Sequence, residues 1–458
     1  MRVLGSTRSV AAAAAICWLY ACGGPSSGLP VSAPATARRV LVGRPAQTDE
    51  MIQHVVIIIQ ENRTVDNLFQ GFPGADTQSY GYNSENQQID LQQVGLKTSW
   101  DLGHNSQSFF AACNGQGSYP GTDCQMNGFN NEQVDCGHHG QPSCPNANPP
   151  YSYVPPSETA PYFSMGEQYV FADEMFASNF DESSFVSHQY IIAAQADSSV
   201  NFPLSLWGCR GGSGDTIDTV NSYRQIGNPI PACWNIETLG DELDEAGLSW
   251  KYYTSKTNGS GGEWSAYQAI EHIYDGPDWK ADVITPQTVF FSDISNGTLP
   301  VVSWITPTCA NSDHAGCNSD TGPSWVASLV NAIGESQYWN STVIFIFWDD
   351  PGGWYDHVAP EMLDYDGLGF RVPLLIVSAY AKQGFVSHTQ FEHGSILKFI
   401  EDRFGLPRLS ASDTRATSPE DCCFNWTQQP RTFTPIQSSY KKNYFLDQPA
   451  DLRPPDSE

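Results

Sequence analysis

Asp349 and Asp350 stand side by side where the apolar run Ser341-Thr-Val-Ile-Phe-Ile-Phe-Trp348 ends, and Gly352-Gly353-Trp354-Tyr355-Asp356-His357 turns the chain away. Far upstream, His54-Val-Val-Ile-Ile-Ile-Gln60 runs into Glu61-Asn62 in the same manner. Side chains at the carboxyl ends of buried strands in an open α/β sheet face the crevice where ligands bind. Carboxylates and amide oxygens are hard ligands for a divalent cation. Taken alone, Asp349-Asp350 reads as a solvated strand end. Two such ends together predict one metal-centred site.

The elements that must position these residues alternate along the chain. Residues 52 to 60, Leu248 to Thr254, Leu299 to Ile305, Thr342 to Trp348 and Val372 to Ser378 read as strands, and the continuous apolar ones suit a central parallel sheet. Residues 162 to 180, Ser324 to Ser336 and Phe391 to Phe404 read as helices, and Ser187 to Ala194 as a strand or a helix beneath the site. Alternating strands and helices predict an α/β fold, doubly wound around a mostly parallel sheet. The polar stretch from Gln70 to Pro156 reads as loops over the crevice, pinned by disulfides, without a core of their own.

His54 to Phe69, Trp348 to Val358, Gly369-Phe-Arg-Val-Pro373 and His393-Gly-Ser-Ile-Leu-Lys-Phe-Ile-Glu401 occur in the order seen in a known family. Over roughly residues 50 to 410 the chain resembles the bacterial phosphoesterases that include non-haemolytic phospholipase C and a metal-dependent acid phosphatase. The resemblance implies a fold of alkaline-phosphatase-like type. It implies one divalent metal held by Glu61, Asn62, Asp349 and Asp350, with a serine oxygen as fifth ligand. The family's nucleophile falls in Glu182-Ser-Ser-Phe-Val-Ser-His-Gln-Tyr190, where alignment on His188 and Tyr190 places it at Ser184, with Ser183 as the competing choice. Glu182, Ser183, Val186 and Ser187 depart from the family's usual Gly, Pro, Pro and Asn. His104 and His314 match family histidines that face the phosphate, and His272 is a third candidate, set against a plain helix-packing role.

The chemistry fits those residues. A serine hydroxyl is a poor nucleophile at neutral pH, and a bound divalent ion favours its alkoxide and screens an incoming phosphate. Calcium, magnesium, manganese, iron or zinc would suit the oxygen-rich set. Charged histidines bind phosphate oxygens, and one can protonate the leaving oxygen. The expected activity is hydrolysis of phosphate esters through a phosphoserine, as in a phospholipase C acting on phosphatidylcholine-like lipids. The alternatives are an acid phosphatase on the same scaffold and a non-catalytic phosphate-binding surface protein. Arg63, Asp66, Arg371, His357 and His393 read as braces of the site. No Gly-x-Ser-x-Gly elbow and no P-loop is present.

With 458 residues and a formal charge of −28, the chain is unsuited to nucleic acid and to anionic membranes as electrostatic partners. Residues 1 to 21 read as an export signal with an apolar core too short to span a bilayer. Ala21-Cys22-Gly23 resembles a lipoprotein processing site, which would put a lipid anchor on Cys22. Residues 22 to 50 read as a linker, 51 to 410 as the catalytic domain and 411 to 458 as an irregular extension. Ten cysteines remain after Cys22, an even number that suits disulfides in an exported, secreted or periplasmic protein. Cys136–Cys144, Cys209–Cys233 and Cys309–Cys317 are plausible local pairs. His138 and His139 read as surface.

Overall fold

The computed structural model describes residues 51–136, 144–204, 206–255, 264–451 and 453. The signal segment, Cys22 and His138–His139 lie outside the described residues.

Eight segments form the central sheet: β1 (His54–Gln60), β2 (Val170–Ala172), β3 (Trp250–Tyr253), β4 (Val283–Ile284), β5 (Val302–Ile305), β6 (Thr342–Trp348), β7 (Leu374–Ser378) and β8 (Phe385–Ser387). Their spatial order is β4-β3-β5-β1-β6-β7-β2-β8. All neighbouring pairs are parallel except the two made by β7. β1 and β6 sit at the centre, and apart from His54 every residue of both is buried. That burial on both faces explains why their sequences are continuously apolar rather than alternating.

Five longer helices matter here: α1 (Ser106–Cys113), α2 (Ala160–Gln168), α3 (Ser184–Ala193), α4 (Gly322–Gly334) and α5 (His393–Phe404). All ten residues of α3 are buried. Residues 162 to 180 were expected to be helical throughout, but α2 stops at Gln168. The next residues enter the sheet as β2 between β7 and β8. Val170 and Phe171 are good strand formers, and available partners on both sides override the helical pattern.

The stretch between Gln70 and Pro156 departs from expectation too. It contributes to a second apolar cluster of its own, in which Phe109, Phe129 and Tyr151 meet Phe180, Tyr355 and Phe370. A third, small cluster joins Trp100 and Leu102 to Ala315 and Trp354. Cys113–Cys124 and Cys136–Cys144 pin this region, Cys209–Cys233 and Cys309–Cys317 pin later loops, and the adjacent Cys422 and Cys423 are also bonded. After Pro407 the chain makes three short helices and sends Phe445 into the core against Trp325. Among the described residues no helix is long and apolar enough to cross a membrane.

Candidate active site

β1 and β6 pair in register over seven residues, from His54 opposite Thr342 to Gln60 opposite Trp348. The ladder runs one bond further, from the Asp349 amide to the Gln60 carbonyl at 3.1 Å. Glu61-Asn62 and Asp349-Asp350 are therefore neighbours by construction. The two chains then part in a confined space. Asn62 adopts a left-handed backbone (φ 62°), which is uncommon outside glycine. Gly352 also has positive φ (61°), and a Cβ there would lie 2.6 Å from the Cβ of Asn62. A Cβ on Gly353 (φ 69°) would lie 2.8 Å from the Gly103 carbonyl.

α3 supplies the third part of the cluster. Ser184 begins this helix, and its hydroxyl donates to Asp350 Oδ2 at 2.9 Å. The Asn62 side-chain amide donates to Ser184 Oγ at 3.4 Å, and the Asn62 backbone amide to Asp349 Oδ1 at 3.3 Å. One helical turn on, His188 Nε2 lies 3.1 Å from Glu61 Oε1 and 3.5 Å from Asp349 Oδ2. Residues four apart share a helix face, so one short helix presents both a hydroxyl and an imidazole to the strand ends. His188 had been used only to align the nucleophile; its spacing from Ser184 was the signal that it belongs to the cluster. Ser183 turns elsewhere, donating to Asp181 Oδ2 at 2.7 Å.

Glu61, His188 and Asp349 each offer a ligand atom within 4.8 Å of the others, and all three are buried. Buried Asn62 Oδ1 finds no hydrogen-bond partner among the described residues. Burial alone would raise the Asp349 carboxyl, but the His188 imidazole, then Glu61 and Ser184, hold it below its ordinary value. Such an oxygen-rich set with one imidazole and an orphaned amide oxygen fits a divalent cation. Behind it, burial pushes the His393 imidazole down to about 4, which keeps it neutral. Its Nε2 donates to the Trp348 carbonyl at 3.3 Å and its Nδ1 accepts from the Ser178 amide at 3.4 Å.

Two of the three candidate histidines come together. The His104 and His314 rings meet edge to face with centroids 5.4 Å apart. His104 Nδ1 donates to the Leu102 carbonyl at 2.7 Å, and His314 Nδ1 lies 3.6 Å from Asp101 Oδ2. The loop carrying His314 is tied to the end of β1: Gln60 bonds both the Asn311 carbonyl and the Asp313 amide, at 3.1 and 3.0 Å. Arg63 adds two bonds to the Asp313 carbonyl, with its guanidinium 4.5 Å above Trp354. His272 is not brought into this group. Its nitrogens are engaged by Asn235 and by Asp241, the latter at 2.8 Å, on a partly exposed short helix. Those contacts match the helix-packing alternative named for it in the sequence.

Residues 52–407 match the family model described as the phosphoesterase family, and the chain belongs to that family. It is similar to the non-hemolytic phospholipase C of Burkholderia pseudomallei, with 30% identity over 221 residues that cover 36% of this chain and 32% of that protein. Phospholipase C B of Mycobacterium tuberculosis is 28% identical over 237 residues, 44% of this chain and 45% of the relative. The hemolytic phospholipase C of Pseudomonas aeruginosa is 23% identical over 451 residues, 85% of this chain and 58% of the relative. The chain thus spans less than two thirds of the length of each of these relatives. Among solved structures, a protein in the alkaline phosphatase superfamily from Vibrio parahaemolyticus aligns at 13% identity and a TM-score of 0.34, covering 81% of this chain and 71% of that one.

Proposed function

We propose that the chain is an exported, metal-dependent phosphoesterase that works through a phosphoserine at Ser184. The observation that supports it most is the Ser184 hydroxyl, at the start of a buried helix, bonded to Asp350 inside the acid–histidine cluster. Glu61, Asn62, His188, Asp349 and Asp350 would hold the ion, whose chemistry is to favour the serine alkoxide and screen phosphate charge. The imidazole favours iron or zinc over calcium or magnesium.

Ser184 Oγ forms a bond to phosphorus and passes its proton to Asp350 Oδ2, while the bond from phosphorus to the ester oxygen breaks and that oxygen leaves with a proton. The helix N-terminus adds a favourable field for the anionic oxygen. His314 supplies the leaving-group proton, and His104 binds a non-bridging oxygen. Water then attacks the phosphoserine, restores the Ser184 hydroxyl and releases the phosphorylated fragment. The named activities of the relatives point to phospholipids of the phosphatidylcholine type. Five disulfides support export, since such bonds persist in oxidising compartments.

The test is a pair of serine variants assayed on an activated p-nitrophenyl ester. Ser184→Ala should lose at least ~10³-fold in turnover, because no neighbour replaces the nucleophile. Ser183→Ala should stay within about tenfold of wild type. A fully active Ser184→Ala enzyme sinks the phosphoserine mechanism, and a dead Ser183→Ala with a live Ser184→Ala shifts the nucleophile by one residue.

A further inference from the structure

Asp181 stands outside the acid–histidine cluster and takes no part in the mechanism, yet it is fully buried just ahead of Ser184 in the chain. A buried carboxylate is costly unless its oxygens are hydrogen-bonded. Asp181 meets that condition with three short bonds. Oδ1 accepts from the Asn179 side-chain amide at 2.6 Å, and Oδ2 accepts from the Ser183 hydroxyl at 2.7 Å and the Asn201 backbone amide at 2.6 Å. Burial pushes the carboxyl up to about 6, and these bonds keep it from rising further. Asn179 in turn accepts from the Ser187 hydroxyl at 3.0 Å, within the first turn of α3. Hydroxyls on either side of Ser184 in the chain are thus tied to one small network.

The bond to Asn201 carries that network to a second part of the site. Asn201 has a left-handed backbone, φ 68°, which asparagine tolerates better than most residues. Its backbone amide reaches Asp181, and its side-chain Oδ1 accepts from the Ser106 backbone amide at 3.0 Å. Ser106 begins α1, directly after His104-Asn105. The ring of the next residue, Phe202, meets the His104 ring edge to face with centroids 5.8 Å apart. The chain that leaves α3 at Ala193 therefore returns to the start of that helix, and there it grips the segment carrying His104. A carboxylate offers about four acceptor positions, so one side chain can take donors from the nucleophile turn and from the returning loop together.

Phosphoryl transfer draws its rate mainly from positioning and charge, and a displacement of about 1 Å can cost on the order of 10²-fold. We propose that Asp181 is a positioning residue that, through Asn201, sets the placement of the Ser184 nucleophile relative to His104. It touches no substrate. The inference rests on the phosphoesterase reading of the Ser184 site. The test cuts the link at either end, with Asp181→Ala and with Asn201→Ala, and measures kcat/KM on a p-nitrophenyl phosphodiester. Each substitution is made in the wild-type chain and again in a His104→Ala chain.

Each should cost at least ~10-fold in the wild-type chain and less than ~3-fold in His104→Ala, where no imidazole is left to align. A merely structural role would cost the same factor in both backgrounds, and that result overturns the proposal. Asp181→Asn should restore most of the activity. Its oxygen still accepts from Ser183 and Asn201, and Asn179 can turn its amide to accept from the new NH2 group. An Asp181→Asn enzyme as slow as Asp181→Ala also overturns the proposal. Should Asp181→Ala fail to fold, as judged by circular dichroism, the half-buried Asn201 decides through its own pair of variants. No turnover by the wild-type chain overturns the phosphoesterase reading itself, whereas turnover with equal losses in both backgrounds overturns only the link.

Discussion

Two clusters, each of two carboxylates and a histidine, draw their acids from positions a few residues apart in sequence, and only one of them reads as a site. Glu61, His188 and Asp349 form one; Asp66, Asp356 and His357 form the other. In the second, Arg371 fills the centre, with Nε 2.8 Å from Asp356 Oδ1 and Nη2 3.2 Å from Asp356 Oδ2. His357 Nδ1 bonds Asp66 Oδ2 at 2.7 Å, and the Gln78 and His357 amides both donate to the same carboxylate. The second cluster thus carries its cation within the chain. In the first, the His188 imidazole lies against both Glu61 and Asp349, and Asn62 Oδ1 is orphaned. The identity of the acids and histidines does not separate a brace from a metal site. An arginine bonded to the acids, as Arg371 is in the second, marks a brace.

The sharpest way to break this contrast is to remove Asp350, which adjoins the first cluster and accepts from Ser184. Asp350→Ala should cost at least ~10³-fold in turnover and release bound metal, measured by elemental analysis of the folded protein. Full metal occupancy in that variant would remove the distinction between the clusters. The second cluster should fail differently. Arg371→Met leaves Asp66 and Asp356 buried without their cation, and should cost about 3–5 kcal/mol of stability in denaturant titration. Metal content per folded molecule should be unchanged; a metal-free Arg371→Met protein would mean that the brace is part of the site.

The smallest effect is on pH dependence. Burial lowers the His357 pKa, but the Asp66 hydrogen bond and the Asp66 and Asp356 charges outweigh it and leave it above 6.5. Burial and the neighbouring Asp356 also raise Asp66. Both groups hold protons more tightly in the folded state. The His357 contribution is fully present below the unfolded histidine value and is lost as pH rises through the folded one, whereas that of Asp66 is fully present only below the unfolded carboxyl value. The Tm gap between wild type and His357→Gln should therefore be widest near pH 6, by roughly 2 °C, and close toward pH 9. A gap that grows with pH would reverse the assignment.

Much of the first cluster was legible because strand ends in an open sheet are fixed by a simple rule, and both Glu61-Asn62 and Asp349-Asp350 follow a continuous apolar run. In-register pairing of β1 and β6 then does the rest. His188 was missed because its partners are far away in sequence, although its place one turn after Ser184 was visible. For His272, Glu271-His-Ile-Tyr reads equally as a site or as a helix surface, and its partners Asp241 and Asn235 lie too far upstream to be read from that stretch. The helix expected through residue 180 failed for a tertiary reason: β2 exists because β7 and β8 offer it partners. The second apolar cluster was hidden because its aromatic residues are scattered across loops that sequence presents as polar.

The glycine pair at positions 352 and 353 bears on how substitution data for this chain should be read. Neither residue has a functional group, yet both sit where added bulk would drive Asn62 and the Gly103 segment apart. A survey of tolerated substitutions would rank them beside Asp349 and Asp350. Intolerance in this stretch therefore records clearance as much as chemistry, and a map of sensitive positions would overcount the groups that react.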